Sequence, residues 1–167
     1  MSDFYFAYGS NMNPARMRAR GLAVAGYWPA RLPGYALRFN KRAHNKTGIA
    51  YANIAYAPDD AVQGVLYQLA PGTEIALMDH YEGTPVRYSR EKFCVCTEVG
   101  ATWAWVYVAN PAFIGTQLGV EQAYLEHLLS AGDLLAADYR ERLRQLAEPL
   151  VVGEPPADRE LGLRFNV

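Results

Sequence analysis

The sequence predicts an α+β fold built on a curved sheet or barrel, and three observations lead there. Most β-forming segments fall before residue 111, the strongest helix-period segment falls after residue 120, and nothing alternates regularly as strand, helix, strand. At 167 residues, 51% hydrophobic and 20% charged, the chain can bury one full core. We expect a single domain over residues 1–150. Residues 151–167, rich in Pro and charge, read as an extended tail packed on it.

The elements follow in order. DFYFAY, residues 3–8, is dense in β-forming aromatics and reads as the first strand. NPARMRARG, residues 13–21, starts like a helix: Asn13 can cap, Pro14 suits the first turn and Gly21 can end it. Residues 34–42 and 49–57 read as strands, PDD at 58–60 as a turn, and residues 61–70 as a further strand with Gly64 inside it. Residues 72–83 read as a short helix capped by Thr73, with Ile75, Leu77, Met78 and Tyr81 on its apolar face and Gly83 and Pro85 ending it. Residues 88–99 and 102–110 form a hairpin around Gly100, and residues 121–146 form two helices broken near Gly132.

Composition narrows the function. A net charge of -1 gives no whole-chain reason to bind nucleic acid or an anionic membrane, and RMRAR at 16–20 reads as a solvated helix face. The start is acidic and aromatic, unlike a signal peptide, and no apolar run reaches the roughly 20 residues of a membrane span, so a cytoplasmic protein is expected. Cys94 and Cys96 share a strand face but lack nearby His ligands, which argues for free thiols over zinc. His44, His80 and His127 show no metal-ligand spacing. Nucleotide-binding glycine motifs, H-E-x-x-H and G-x-S-x-G are absent, and nothing local gives Ser10 a triad.

Two stretches remain. YGSN, residues 8–11, lies between a strand and a helix, where backbone N–H groups can form an anion-binding concavity. Glu82 ends an apolar helix directly before Gly83, close to the partially negative helix terminus. Desolvated there, its pKa would rise toward that of a general base working near neutrality; on a solvated surface it would do nothing of the kind.

Together these stretches resemble the γ-glutamylcyclotransferase family. The resemblance runs through FAYGSNM, GIAYANI, VQGVLYQL, YEG, RYS, WVYV and YLEHLLSAGDLLAADYRERL, over roughly residues 4–148. It implies a mixed β-barrel flanked by helices, with one active-site cavity at its mouth. It implies a reaction in which the α-amine of a γ-glutamyl compound attacks its own γ-carbonyl, giving 5-oxoproline and a released amine or amino acid. The family's glutamyl-binding loop falls on Tyr8, Gly9, Ser10, Asn11 and Met12, its catalytic glutamate on Glu82, and its cavity tyrosines on Tyr88, Tyr107 and Tyr124. No metal or redox cofactor is called for, and the partner is a small γ-glutamyl substrate met by a monomer or homodimer. A different γ-glutamyl conjugate, or binding without turnover, are the other readings.

Departures from the family pattern matter too. Arg87, beside Tyr88, either favours an acidic leaving group or pairs with Asp79. The segment 110–120, NPAFIGTQLGV, matches the family poorly, and leaving-group recognition is expected there.

Overall fold

The structure, a computed structural model, describes residues 3–153. Five strands close a mixed barrel: β1 (Phe4–Ala7), β2 (Val24–Arg42), β3 (Ala50–Leu69), β4 (Tyr88–Thr97) and β5 (Gly100–Ala109), in the order β1-β3-β2-β4-β5. Closure comes from a parallel contact between β1 and β5 at Tyr5 and Trp105, while the other neighbours are antiparallel. Four helices lie around it: α1 (Pro14–Ala19), α2 (Ala76–Glu82), α3 (Gln122–Leu129) and α4 (Ala137–Ala147). The two expected late helices are α3 and α4, separated by a 3-10 turn over Gly132–Leu134. The expected tail begins with β7 (Val151–Val152), which pairs in parallel with β6 (Val120–Glu121). The rest of that tail lies outside the described residues.

Four local expectations are corrected. PDD is not a turn: β3 runs through it without interruption, so the two strands expected there are one. Pro33 faces Ala61 and Tyr35 faces Tyr56, so β3 spends five residues where β2 spends two, and the excess is absorbed as a bulge. Gly34, in the left-handed region at φ 80°, completes the irregularity on β2. The strand expected to begin at residue 34 begins ten residues earlier, and further register shifts near residues 24–26 and 39–41 let these long strands bend round a small barrel. Thr73 does not cap α2: its amide closes a turn onto the Ala70 carbonyl at 2.9 Å, and the helix begins after Ile75. Leu77 faces solvent, so the apolar face of α2 is Ile75 and Met78, with Tyr81 half-buried.

β1 is buried on both faces, which explains its run of aromatics without alternation. Its neighbour β3 approaches it closely at Gly64. A Cβ there would lie 2.2 Å from the Ala7 carbonyl oxygen and 2.8 Å from the Phe6 ring. Backbone cannot swing aside as a side-chain tip can. We predict that Gly64→Ala destabilises the fold by about 2 kcal/mol or more, the scale of core overpacking. The check is a denaturant midpoint that falls with an unchanged slope; an unchanged midpoint would show that β1 slides off β3 freely.

Candidate active site

At one end of the barrel, β1 feeds a 3-10 turn, Ser10–Met12, and then α1, whose N-terminus is capped by the Asn13 side chain accepting from the Ala15 amide at 2.9 Å. The turn is anchored from below. The Tyr67 hydroxyl lies within donating distance of the Asn11 and Met12 carbonyls, at 2.8 and 3.0 Å. The Met12 amide donates back to the Gly9 carbonyl at 3.0 Å. A Cβ at Gly9 would come within 3.3 Å of the Tyr124 hydroxyl, so glycine keeps this wall open.

Glu82 is the last residue of α2, and Gly83 turns the chain away in the left-handed region at φ 66°. The Asn11 amide donates to the Glu82 carboxylate at 3.0 Å, and an Arg20 guanidinium nitrogen lies 3.6 Å from the same oxygen. Only 18% of the Glu82 side chain and 11% of the Arg20 side chain are accessible. Arg20 rests over the Tyr81 ring, 4.7 Å from its centroid, and also reaches the Met78 sulfur at 3.4 Å. Desolvation pushes the Glu82 pKa above its ordinary value, against the charge of Arg20 and the Asn11 hydrogen bond, which pull it down.

A cavity of about 330 Å³ lies beside this carboxylate. Tyr8, Gly9, Ser10 and Asn11 form one side of it; Tyr88, Tyr107, Tyr124 and Glu82 form the other. The structure thus brings these sequence-predicted positions together. Met12 is the exception: it is fully buried in the core and lines no part of this cavity, because the 3-10 turn points it under the loop. Tyr5 joins the wall unforeseen, its hydroxyl accepting from Asn11 at 2.9 Å.

The tyrosine hydroxyls are mostly committed to the protein. Tyr8 donates to the Tyr107 carbonyl, Tyr88 to the Ala52 carbonyl at 3.0 Å, and Tyr107 to Asp79 at 2.7 Å, while Tyr124 accepts from the Ala52 amide at 3.0 Å. Burial pushes all four phenols up, so they stay neutral.

Ser10, Glu82, Tyr88 and Tyr124 also line a second, outer chamber of about 810 Å³. Arg16 and Arg20 open onto it. The RMRAR segment is therefore not a uniformly solvated face: Arg18 is exposed, whereas the two arginines four residues apart turn inward. That spacing was the available signal. Arg87 also lines this chamber and does not pair with Asp79, which instead takes Arg90 at 2.9 Å and Tyr107. None of residues 110–120 lines either cavity, contrary to the place expected of them. That segment braces the chain behind the chamber, through Gly115 to Asn40 at 2.8 Å and Gly119 to Gly48 at 2.7 Å.

Comparison with known proteins bears on this arrangement. The family model described as "Gamma-glutamyl cyclotransferase, AIG2-like" matches residues 5–133. A solved structure of a gamma-glutamyl cyclotransferase is 23% identical, with a TM-score of 0.73 over 95% of this chain and 91% of that one. An uncharacterized protein from Homo sapiens is 23% identical with a TM-score of 0.74 over the same shares. A yeast gamma-glutamyl cyclotransferase specific to glutathione is 15% identical, with a TM-score of 0.67 over 90% and 97%. At these identities the likeness is one of fold. No curated protein sequence matches the chain. No helix among the described residues is long and apolar enough to cross a membrane.

The raised pKa of Glu82 has a consequence for stability. A carboxyl that is harder to ionise when folded contributes stability at low pH, and that stability is lost as pH rises from the ordinary value near 4.5 through the folded one. Glutamine, neutral throughout, escapes this loss. We predict that the melting temperature of Glu82→Gln relative to the parent increases between about pH 4 and pH 8. Thermal melts across that range provide the check; a difference that shrinks with pH would mean a depressed pKa.

Proposed function

Because the chain belongs to the γ-glutamyl cyclotransferase, AIG2-like family, we propose that it cyclises γ-glutamyl compounds to 5-oxoproline and releases the amine or amino acid. One observation carries this reading. Among the residues lining the inner cavity, Glu82 is the one ionisable group that is not a tyrosine. With the cavity phenols held neutral, it is the group there able to move a proton near neutral pH.

The chemistry follows from position. The glutamyl part occupies the inner cavity against residues 8–11, folded so that its α-amine faces its own γ-carbonyl. Once the ammonium has lost its first proton, the amine nitrogen bonds to the carbonyl carbon. Glu82 takes the second proton from that nitrogen and delivers it to the leaving nitrogen as the old C–N bond breaks. Backbone N–H groups near Gly9 and Ser10 stabilise the developing oxyanion or hold the substrate carboxylate. The charge of Arg20 opposes the rise in the Glu82 pKa that burial imposes. The tyrosine rings exclude water while their hydroxyls hold the frame.

We predict that Glu82→Gln lowers the rate of 5-oxoproline release by at least about a hundredfold, the scale of a lost general base. Product release is followed on a panel of γ-glutamyl amino acids and γ-glutamylamines, and protein integrity by thermal stabilisation with 5-oxoproline. Undiminished turnover by the variant sinks the mechanism. Stabilisation of the parent by 5-oxoproline without turnover of any compound would make the site a binding module.

A further inference from the structure

The outer chamber holds more positive charge than its carboxylates answer. Lys46 pairs with Glu121 at 2.8 Å, and Arg20 faces Glu82. Lys41 and Arg87 also line the chamber, and among the described residues neither has a carboxylate partner.

Lys41 is the less ordinary of the two. It is 2% exposed, yet its ammonium donates no hydrogen bond to any described residue. What surrounds it is aromatic: the Tyr88 ring centroid lies 5.1 Å from the ammonium and that of Tyr51 lies 5.5 Å away. A bulge places it there. Phe39 faces Ala52 and Lys41 faces Tyr51, so β2 spends one residue more than β3, and Lys41 takes the position Asn40 would otherwise hold. Arg87 is fixed from the other side. Its side chain lies over Gly83, where a Cβ would come 2.8 Å from its Cδ. Its backbone is clamped by the Asn110 amide, 3.0 Å from its carbonyl, and by the Asn110 side chain donating to the Val86 carbonyl at 2.7 Å.

Unpaired buried ammonium groups are rare because removing the charge from water is unfavourable unless an anion answers it. Burial, then the charge of Arg87, lower the Lys41 pKa to about 8, against the charge of Glu82, which raises it. Glu82 thus answers this cation only in part, with no carboxylate in ion-pair contact, and an anion arriving in the chamber completes the answer. The glutamyl carboxylate is not that anion, since the glutamyl part occupies the inner cavity and Lys41 does not line it.

Resting on the γ-glutamyl reading above, we infer that the outer chamber selects compounds whose leaving amine carries a carboxylate, and that Lys41 is the specificity-determining residue that binds it, with Arg87 flanking. The leaving group then departs as an amino acid, held at its acid end while its nitrogen receives the proton from Glu82.

Two compounds that differ only in that carboxylate test the inference: γ-glutamylalanine and γ-glutamylethylamine. The parent should prefer γ-glutamylalanine in kcat/KM by about tenfold or more, the scale of one charge-assisted contact. Lys41→Met should collapse the ratio toward one, chiefly through KM for γ-glutamylalanine, and Lys41→Arg should retain most of it. Arg87→Gln gives a smaller reduction and serves if Lys41→Met does not fold. Equal turnover of both compounds by the parent, or an equal loss on both in Lys41→Met, overturns the inference and leaves the cyclotransferase reading intact. No 5-oxoproline from either compound, nor from any member of the wider panel, overturns both together.

Discussion

A carboxylate held largely out of water is the constraint around which this structure is arranged. Glu82 must be shielded enough for its pKa to rise and yet answered well enough for the charge to exist. Both answers come from the segment that follows β1: Asn11 from the 3-10 turn and Arg20 from the end of α1. Neither would be in place if the turn moved, and the turn is held by Tyr67 of β3 through two carbonyls. β3 in turn lies tight against β1 because Gly64 has no side chain. Core packing and site electrostatics are one problem here, linked through four or five residues.

The two cavities differ in chemistry. The inner one is aromatic, its hydroxyls satisfied by backbone groups and Asp79, so it offers shape and fixed dipoles with little charge. The outer one is basic and broader. Glu82 sits on the wall they share, where the bond between the glutamyl part and its amine would have to lie. In the proposed reaction, the amide is poorly reactive in water, and the acceleration comes from holding one chain folded and one proton path short. Rigid tyrosines serve the first need and a single carboxylate the second.

Much of this was legible in the sequence, and the failures have physical causes. β1, the YGSN turn, the β4–β5 hairpin and the break between α3 and α4 announce themselves by local composition, because each is decided within a few residues. The first half of β2 does not, because Gly26, Pro29 and Pro33 read locally as breakers while pairing with β3 holds them extended. PDD misleads for the same reason: a bulge inside a long bent strand carries the residues of a turn. Met12 was drawn into the site by adjacency to the loop, whereas the 3-10 turn buries it. Lys41 is the least legible, since its placement depends on a one-residue bulge that no periodicity reveals. Arg16 and Arg20 could have been found from their spacing on α1 beside the buried Met17.

In the proposed reaction, the balance at Glu82 is what lets one carboxylate act in both directions. A base whose pKa stayed in the ordinary range would be ionised but too weak to draw a proton from an amine. One raised by burial alone would remain protonated and be no base at all. Arg20 is the largest of the groups that oppose the rise imposed by burial, ahead of Asn11, Lys41 and Arg16, and its own placement limits how strongly it can act. At 3.6 Å it lies outside the close bidentate geometry of a full ion pair, with its guanidinium shared between the Tyr81 ring and the Met78 sulfur. A tighter pair would pull the Glu82 pKa further down, and a looser one would leave the carboxylate less answered. The stacking of Arg20 on Tyr81 thus ties the end of α1 to the end of α2 beside the Glu82 carboxylate.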